Sequence, residues 1–202
     1  MSRRRPQDRI IRDIVNDFCV VVSGLPASGK STIGAKLAQE LDIRLLDKDD
    51  YLEALFEKRG VGDANWRQLL SRESDENFRR DAIATNSAVL VSHWRPRGSG
   101  SSSGTPTEWI TESFPMVVEL YCDCSAEMAK QRFLDRKRHP GHLDGRKNRE
   151  ELLVWMREYR EQLPLSIGEL LCVDACSDLD IKEVTKQLIE VISRLKMETA
   201  GT

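Results

Sequence analysis

The run Gly24-Leu25-Pro26-Ala27-Ser28-Gly29-Lys30-Ser31 has the residue types and the spacing, G-x-x-x-x-G-K-[ST], of a turn that wraps phosphate groups. Its glycines let backbone N–H groups face inward around a polyphosphate. Lys30 supplies a cation for the β- and γ-phosphates, and the Ser31 hydroxyl is placed to ligate Mg²⁺. Pro26, Ala27 and Ser28 form the body of the loop, and Thr32 follows on a helix whose positive N-terminal end adds to the field. A Gly-rich turn alone would carry little meaning. Here Cys19-Val20-Val21-Val22 reads as a buried strand before the loop and Thr32 to Leu41 as a helix after it.

A second constellation is Asp47-Lys48-Asp49-Asp50-Tyr51, where a second strand gives way to a helix. A carboxylate there can accept the proton of an attacking hydroxyl, and Asp49 is the expected base. Asp47 is the second choice, or a partner to water on Mg²⁺. Asp49 and Asp50 would equally serve as a helix cap and first-turn charges.

A third is the basic run Lys130, Arg132, Arg136, Lys137, Arg138, His139-Pro140-Gly141-His142, Arg146 and Lys147. Arg132 and Arg136 are spaced to share one helix face and present two guanidiniums to a polyphosphate. Pro140-Gly141 then breaks the helix, so residues of about 132–147 read as a lid in which Arg136 neutralises charge during transfer. The same run also reads as a solvated basic helix paired with Glu127, Asp135 and Asp144. His139 and His142 read as loop or capping residues rather than metal ligands. His93, Trp94, Arg95 and Arg97 offer an aromatic surface beside cations, suited to a ring-bearing or anionic acceptor. The competing reading puts Trp94 in the core and the arginines in solvent.

The elements that must hold these groups alternate. Strands are expected at 19–22, 43–46, 88–92, 116–122 and 170–174, and helices at 32–41, 51–58, 66–85, 125–138, 148–162 and 180–196. That order implies a parallel sheet with right-handed crossovers, helices on both faces, and ligands beyond the carboxyl ends of the strands. The segment Gly98 to Gly104 is flexible by composition, within a loop of about 96–105 that is either a surface loop or an acceptor-site flap.

Composition sets outer bounds. With 202 residues, 40% of them hydrophobic, the chain can bury one core without disulfides. Its 31 basic and 33 acidic residues nearly cancel, which argues against a broad basic face for nucleic acid. No apolar run approaches a membrane span, and the Arg3-Arg4-Arg5 start lacks a signal peptide's apolar region, so a soluble, cytoplasmic protein is expected. Ile10, Ile11, Ile14, Val15 and Phe18 recur at near-helical spacing, as in a helix docked on the core or one lying on a membrane surface; docking is the expected reading. The domain reading is therefore an N-terminal helical extension over 1–18, one domain over 19–197, and a tail over 198–202. Cysteines at 19, 122, 124, 172 and 176 are expected to be reduced, mostly buried thiols. A zinc site from Cys122-x-Cys124 and Cys172-x₃-Cys176 is the alternative, but its spacing does not repeat a ribbon turn.

Gly24 to Thr32, the acidic 47–51 turn and Arg132-x₃-Arg136 with its His-Pro-Gly-His tail resemble the P-loop kinase-like AAA_33 family. That group includes polynucleotide 5′-hydroxyl kinases, zeta-toxin-like kinases and chloramphenicol phosphotransferases, and is similar to gluconate kinases. The resemblance spans roughly residues 19–195. It implies a three-layer α/β P-loop NTPase fold with a five-stranded parallel sheet in the order 2-3-1-4-5. It also implies ATP and Mg²⁺ as cofactors, with Gly24, Pro26, Ala27, Ser28, Gly29, Lys30, Ser31, Thr32, Arg132 and Arg136 on the nucleotide and Ser31 on the metal. Asp49 would be the catalytic aspartate. The acceptor would meet Asp47, Asp49, Tyr51, His93, Trp94 and Arg95, and the loop Asp174-Ala175-Cys176 would border the adenine.

The chain departs from the family where Leu52 follows Tyr51 in place of an arginine. It departs again where Ser92-His93-Trp94-Arg95 stands in place of an acidic residue after the third strand. The implied activity is transfer of the γ-phosphoryl group of ATP to a hydroxyl on a small molecule. The alternatives are a 5′-hydroxyl polynucleotide kinase and an ATP-dependent switch with weak ATPase activity.

Overall fold

The computed structural model describes residues 17–146 and 148–200. The apolar run through Ile10, Ile11, Ile14 and Val15 lies outside the described residues, as does Lys147 of the basic run. Phe18, which closes that run, opens the first strand and is fully buried.

Strand β1 (Phe18–Gly24) is buried at every position, the pattern of a parallel strand covered on both faces. It pairs in parallel with β3 (Ser87–Val91) on one side and β4 (Met116–Asp123) on the other. Strands β2 (Arg44–Asp47) and β5 (Glu169–Asp174) extend the edges, giving the order β2-β3-β1-β4-β5. This is the expected three-layer α/β P-loop architecture. Val20 and Val22 pack under helix α1 (Lys30–Leu41) and the final helix, α7 (Ile181–Ala200), with Leu37, Leu188 and Ile192. Cys19 and Val21 face the opposite layer with Phe78, Trp94 and Ile110. Because β1 lies between β3 and β4, the chain leaves it in opposite directions, and a crevice opens at the carboxyl ends of the strands.

Local chemistry sets where each helix begins. In α2 (Lys48–Arg59) the cap is Asp47, whose carboxylate accepts from the Asp49 N–H at 3.0 Å. Asp49 and Asp50 fill the first turn, and Lys58 and Arg59 the last, each sign matching the helix dipole. The helix therefore starts three residues before the expected Tyr51, and Asp47, not Asp49 or Asp50, is the cap. Helix α3 (Ala64–Ile83) is capped by Asp63 onto the Trp66 N–H. A short helix, α4 (Glu108–Ser113), has no counterpart in the sequence reading; it buries Trp109 and Ile110. Helix α5 (Ala126–Asp135) stops before the expected 138, because Arg136 adopts an extended backbone. Helix α6 (Arg149–Arg160) follows, capped by Asn148.

A buried carboxyl group sits at the centre of this scaffold. Glu119, midway along β4, is fully buried and accepts from Ser23 Oγ at 2.5 Å and from the Leu165 and Ser166 N–H groups at 2.7 and 2.9 Å. It ties the segment leading into β5 to the strand that carries the phosphate loop.

Candidate active site

The Gly24–Gly29 turn leaves β1 in a conformation that side chains resist. Gly24 has φ +137, and a Cβ there would lie 2.6 Å from the Cys122 carbonyl oxygen, so only glycine fits against β4. Gly29, at φ +103, caps α1. Lys30 is buried; its ammonium donates to the Gly24 and Leu25 carbonyls at 2.9 and 2.7 Å, and desolvation lowers its pKa to about 8. The Ser28 hydroxyl is buried with no hydrogen-bond partner, beside the position a Gly24 side chain would take.

A cleft of about 650 Å³ opens over this loop, lined by Pro26, Ala27, Gly29, Lys30, Ser31 and Thr32. The same cleft is lined by Asp47, Lys48 and Asp49 from the β2–α2 junction, His93 from the segment after β3, and Arg132, Arg136 and Arg138. Asp47 is raised to about 6, chiefly by burial, although a hydrogen bond with Ser31 pulls the other way. That hydroxyl and carboxyl group, side by side, form an oxygen donor pair that suits Mg²⁺ when Asp47 is ionised. For Asp49 burial alone would raise the pKa. Arg138 first, and then His142, Lys48 and Arg136, outweigh it, and the net shift is downward. Asp49 is therefore held as a carboxylate.

The basic run is folded over Asp49 by a chain of contacts. Arg138 pairs with Asp49 and, at 3.3 Å, with Asp144; Arg136 also reaches Asp144 at 3.0 Å and lies 4.2 Å over the Phe133 ring. His139-Pro140-Gly141-His142 clasps α2. His142 Nε2 is 2.8 Å from Glu53 and His139 Nε2 is 3.2 Å from Glu57. Phe56 sits between the two imidazoles, stacked on His139 and edge-on to His142.

Several expected site residues are elsewhere. Tyr51 turns away from the cleft: its hydroxyl donates to Asp81, and its ring packs edge-on to Phe78. Trp94 is core, 1% exposed, with its indole N–H donated to the Val22 carbonyl. The guanidinium of Arg95 binds the Ser102, Ser103 and Gly104 carbonyls, and Arg97 binds Thr111. Arg95 thus organises the Gly/Ser-rich loop, whose ends are also tied by backbone bonds between His93 or Arg95 and Thr105. Apolar surface at the junction buried the tryptophan, and unpaired loop carbonyls captured the arginine.

Arg132 and Arg136 do not share a helix face, since α5 ends between them. Arg132 donates to the Ala175 carbonyl at 2.9 Å and the Ser28 carbonyl at 3.4 Å, stitching the phosphate loop to the segment after β5. Of the cysteines, Cys19, Cys122 and Cys124 are buried, in line with a mostly buried set, and Cys172 and Cys176 are exposed. Among the described residues no three metal-ligating side chains converge, and the two cysteine pairs do not form a zinc set.

Three cleft residues were not anticipated. Lys48 is buried and donates to Ser71 Oγ at 2.7 Å, Arg67 of α3 lines the wall with a buried, unpartnered Nε, and Arg138 grips Asp49. Arg138 stood in the basic run as one of many cations. Nothing in the spacing of Lys48 or Arg67 distinguishes them from surface charges.

The AAA domain family (AAA_17) matches residues 23–151. A shikimate kinase from Francisella philomiragia is 33% identical over 156 residues, covering 75% of this chain and 82% of that protein. The chain belongs to the P-loop kinase family. A Mycobacterium leprae shikimate kinase is 30% identical over 112 residues, 55% of this chain and 53% of its own length. Among solved structures, one from Chloroflexus aurantiacus with only a provisional kinase description superposes with a TM-score of 0.72 at 24% identity, over 87% of this chain and 98% of that one. A shikimate kinase from Acinetobacter baumannii in complex with shikimate gives 0.56 at 16% identity, over 92% and 97%. At those identities the likeness shows the fold. The AAA_33 resemblance holds at the coarser level of P-loop kinases, the level at which this kinase and its relatives agree. No described helix of the kinase is long and apolar enough to cross a membrane.

Proposed function

We propose that this kinase transfers the γ-phosphoryl group of ATP to a hydroxyl of a small, anionic molecule. The observation that carries the reading is the placement of Asp49, a carboxylate held ionised by Arg138, in one cleft with Lys30 and the phosphate loop. The loop amides and Lys30 bind the β- and γ-phosphates. Ser31 and Asp47 would hold Mg²⁺, which supplies positive charge to the phosphate oxygens during transfer.

Asp49 orients the acceptor hydroxyl and takes its hydrogen as the oxygen bonds to the γ-phosphorus and the bond to the bridging β–γ oxygen breaks, releasing ADP. Arg136 lies close enough to Lys30 and Asp49 to act on both and neutralises charge on the transferred group. The anionic character of the acceptor rests on Arg67, Arg138 and Lys48 around Asp49. Here the cation absent after Tyr51 comes instead from α3. The names of the curated relatives make shikimate, an acidic alcohol, the first compound to try.

The test is ADP release from Mg²⁺-ATP with shikimate, other hydroxy acids, neutral sugars, nucleosides and a 5′-hydroxyl oligonucleotide. An anionic alcohol that stimulates release about tenfold or more, with the stimulation lost in Asp49→Asn, is the expected result. Release that no acceptor stimulates in either protein would overturn the kinase reading in favour of an ATP-driven switch; stimulation by the oligonucleotide would overturn the acceptor class.

A further inference from the structure

Cys124 and Cys176 lie 52 residues apart in the sequence, just past the ends of β4 and β5, yet the Cys176 thiol donates to the Cys124 sulfur at 3.1 Å. The pairing is built by the sheet. Asp123 on β4 is in register with Asp174 on β5, and the next backbone bond runs from the Ala175 N–H to the Asp123 carbonyl at 2.8 Å. Cys124 follows Asp123 directly and Cys176 lies two residues past Asp174, at the carboxyl ends of adjacent strands. Their exposures differ in a useful way: Cys124 is 2% exposed, while Cys176 faces solvent. An exposed thiol can meet an oxidant, and a buried one in contact with it can resolve the product.

We infer that Cys124 and Cys176 form a reversible disulfide under peroxide, and that this link weakens nucleotide binding. In the first step the Cys176 sulfur attacks one oxygen of hydrogen peroxide, the O–O bond breaks, and the departing hydroxide takes up the thiol proton, leaving a sulfenic acid and water. In the second, the Cys124 sulfur displaces the sulfenic hydroxyl, which leaves as water with the Cys124 proton. The two thiols give up two electrons to the peroxide. Burial, and then the hydrogen bond from Cys176, push the Cys124 thiol up to about 12, so the first attack on peroxide falls to the exposed Cys176. A disulfide needs a sulfur separation of about 2 Å, so the pair must close by about 1 Å.

That movement has a route to the phosphate loop. Ala175, next to Cys176, accepts from Arg132, and the same guanidinium reaches the Ser28 carbonyl. Drawing Cys176 towards β4 shifts the Ala175 carbonyl and loosens the stitch. The thiol chemistry stands independently of the kinase reading; the effect on nucleotide rests on it.

The experiment treats the fully reduced, full-length protein with hydrogen peroxide. It then maps disulfides by non-reducing peptide mass spectrometry and titrates a fluorescent ATP analogue with Mg²⁺. Expected are a Cys124–Cys176 peptide pair lighter by about two hydrogen masses and reversed by dithiothreitol. The Kd should rise by about tenfold, the loss of one hydrogen bond from a charged donor. In Cys176→Ser, which removes an exposed thiol and leaves the core intact, peroxide should no longer change the Kd. A link mapped to Cys172, or Cys176 over-oxidised with Cys124 still free, would overturn the site. A correct link with an unchanged Kd would overturn the coupling to nucleotide. If the reduced protein binds no nucleotide, the kinase reading fails while the mapped link still decides the thiol pair.

Discussion

Replacing Asp49 by Asn removes the carboxylate charge while keeping the shape of the side chain. Asn accepts a hydrogen bond but takes no proton at neutral pH, so the acceptor hydroxyl loses its base and its strongest orienting partner. Loss of such a group costs about 10²–10⁴ in kcat/KM, or about 3–5 kcal/mol of transition-state stabilisation. The fold should tolerate the change. The Arg138 and Asp49 side chains are 20% and 46% exposed, a partly solvated pair that contributes about 1 kcal/mol or less, and Arg138 keeps Asp144 at 3.3 Å. The melting temperature should therefore shift by no more than about 2–4 °C. Nucleotide affinity should stay within about twofold, because Lys30 and the loop amides are untouched. Steady-state ADP release with the active acceptor, ATP-analogue titration and a thermal melt together form the assay. A variant that melts normally, binds ATP normally and retains more than about a tenth of wild-type kcat/KM would refute the role of Asp49 and move it to Asp47.

Lys30→Ala should lower kcat/KM by about 10²–10³, and turnover within about threefold of wild type would contradict the phosphate role of the lysine. The pH profile of kcat/KM for ATP, which reports the free enzyme, should be bell-shaped. Asp47, raised to about 6, loses its charge as pH falls through that value, and Lys30, lowered to about 8, loses its charge as pH rises through that one. A rate constant across that whole window and a unit beyond each end would sink the assignment. Glu119→Ala leaves the buried Leu165 N–H and Ser23 hydroxyl without their acceptor and should destabilise by about 2–5 kcal/mol, read in denaturant melts; a loss under about 1 kcal/mol would show that water replaces the carboxylate. A Cβ at Gly141 would lie 2.4 Å from the buried Phe56 ring, so Gly141→Ala should dislodge the His-Pro-Gly-His clasp and lower kcat/KM by about tenfold, with the melting temperature little changed; unaltered kinetics would mean that the clasp does not bear on catalysis.

The phosphate loop was legible because its chemistry is local. Gly24 to Ser31 need only one another, a strand before and a helix after, and each of those leaves a short-range pattern. The sheet was legible for a related reason: strands buried on both faces read as apolar runs, and their alternation with helices restricts the order. Element boundaries were less so. The Asp47 cap drew the start of α2 back past the acidic cluster, and the extended backbone at Arg136 cut α5 short of the basic run.

The cleft wall shows the limit more sharply. Trp94 and Arg95 stand beside His93 in the chain, yet only His93 lines the cleft, because the tryptophan found apolar neighbours and a carbonyl while the arginine found loop carbonyls. Arg67 and Arg138, by contrast, reach Asp49 from distant segments. By itself the sequence determined that a polyphosphate would be cradled after the first strand, and that helices would flank a parallel sheet. Which cations surround Asp49 and hold it ionised, and which two of the five cysteines touch, were decided only when β4, β5, α2 and α3 packed together. Side-chain partners across a sheet or cleft are chosen by burial and unsatisfied polar groups far away in the chain, and residue spacing carries no record of them.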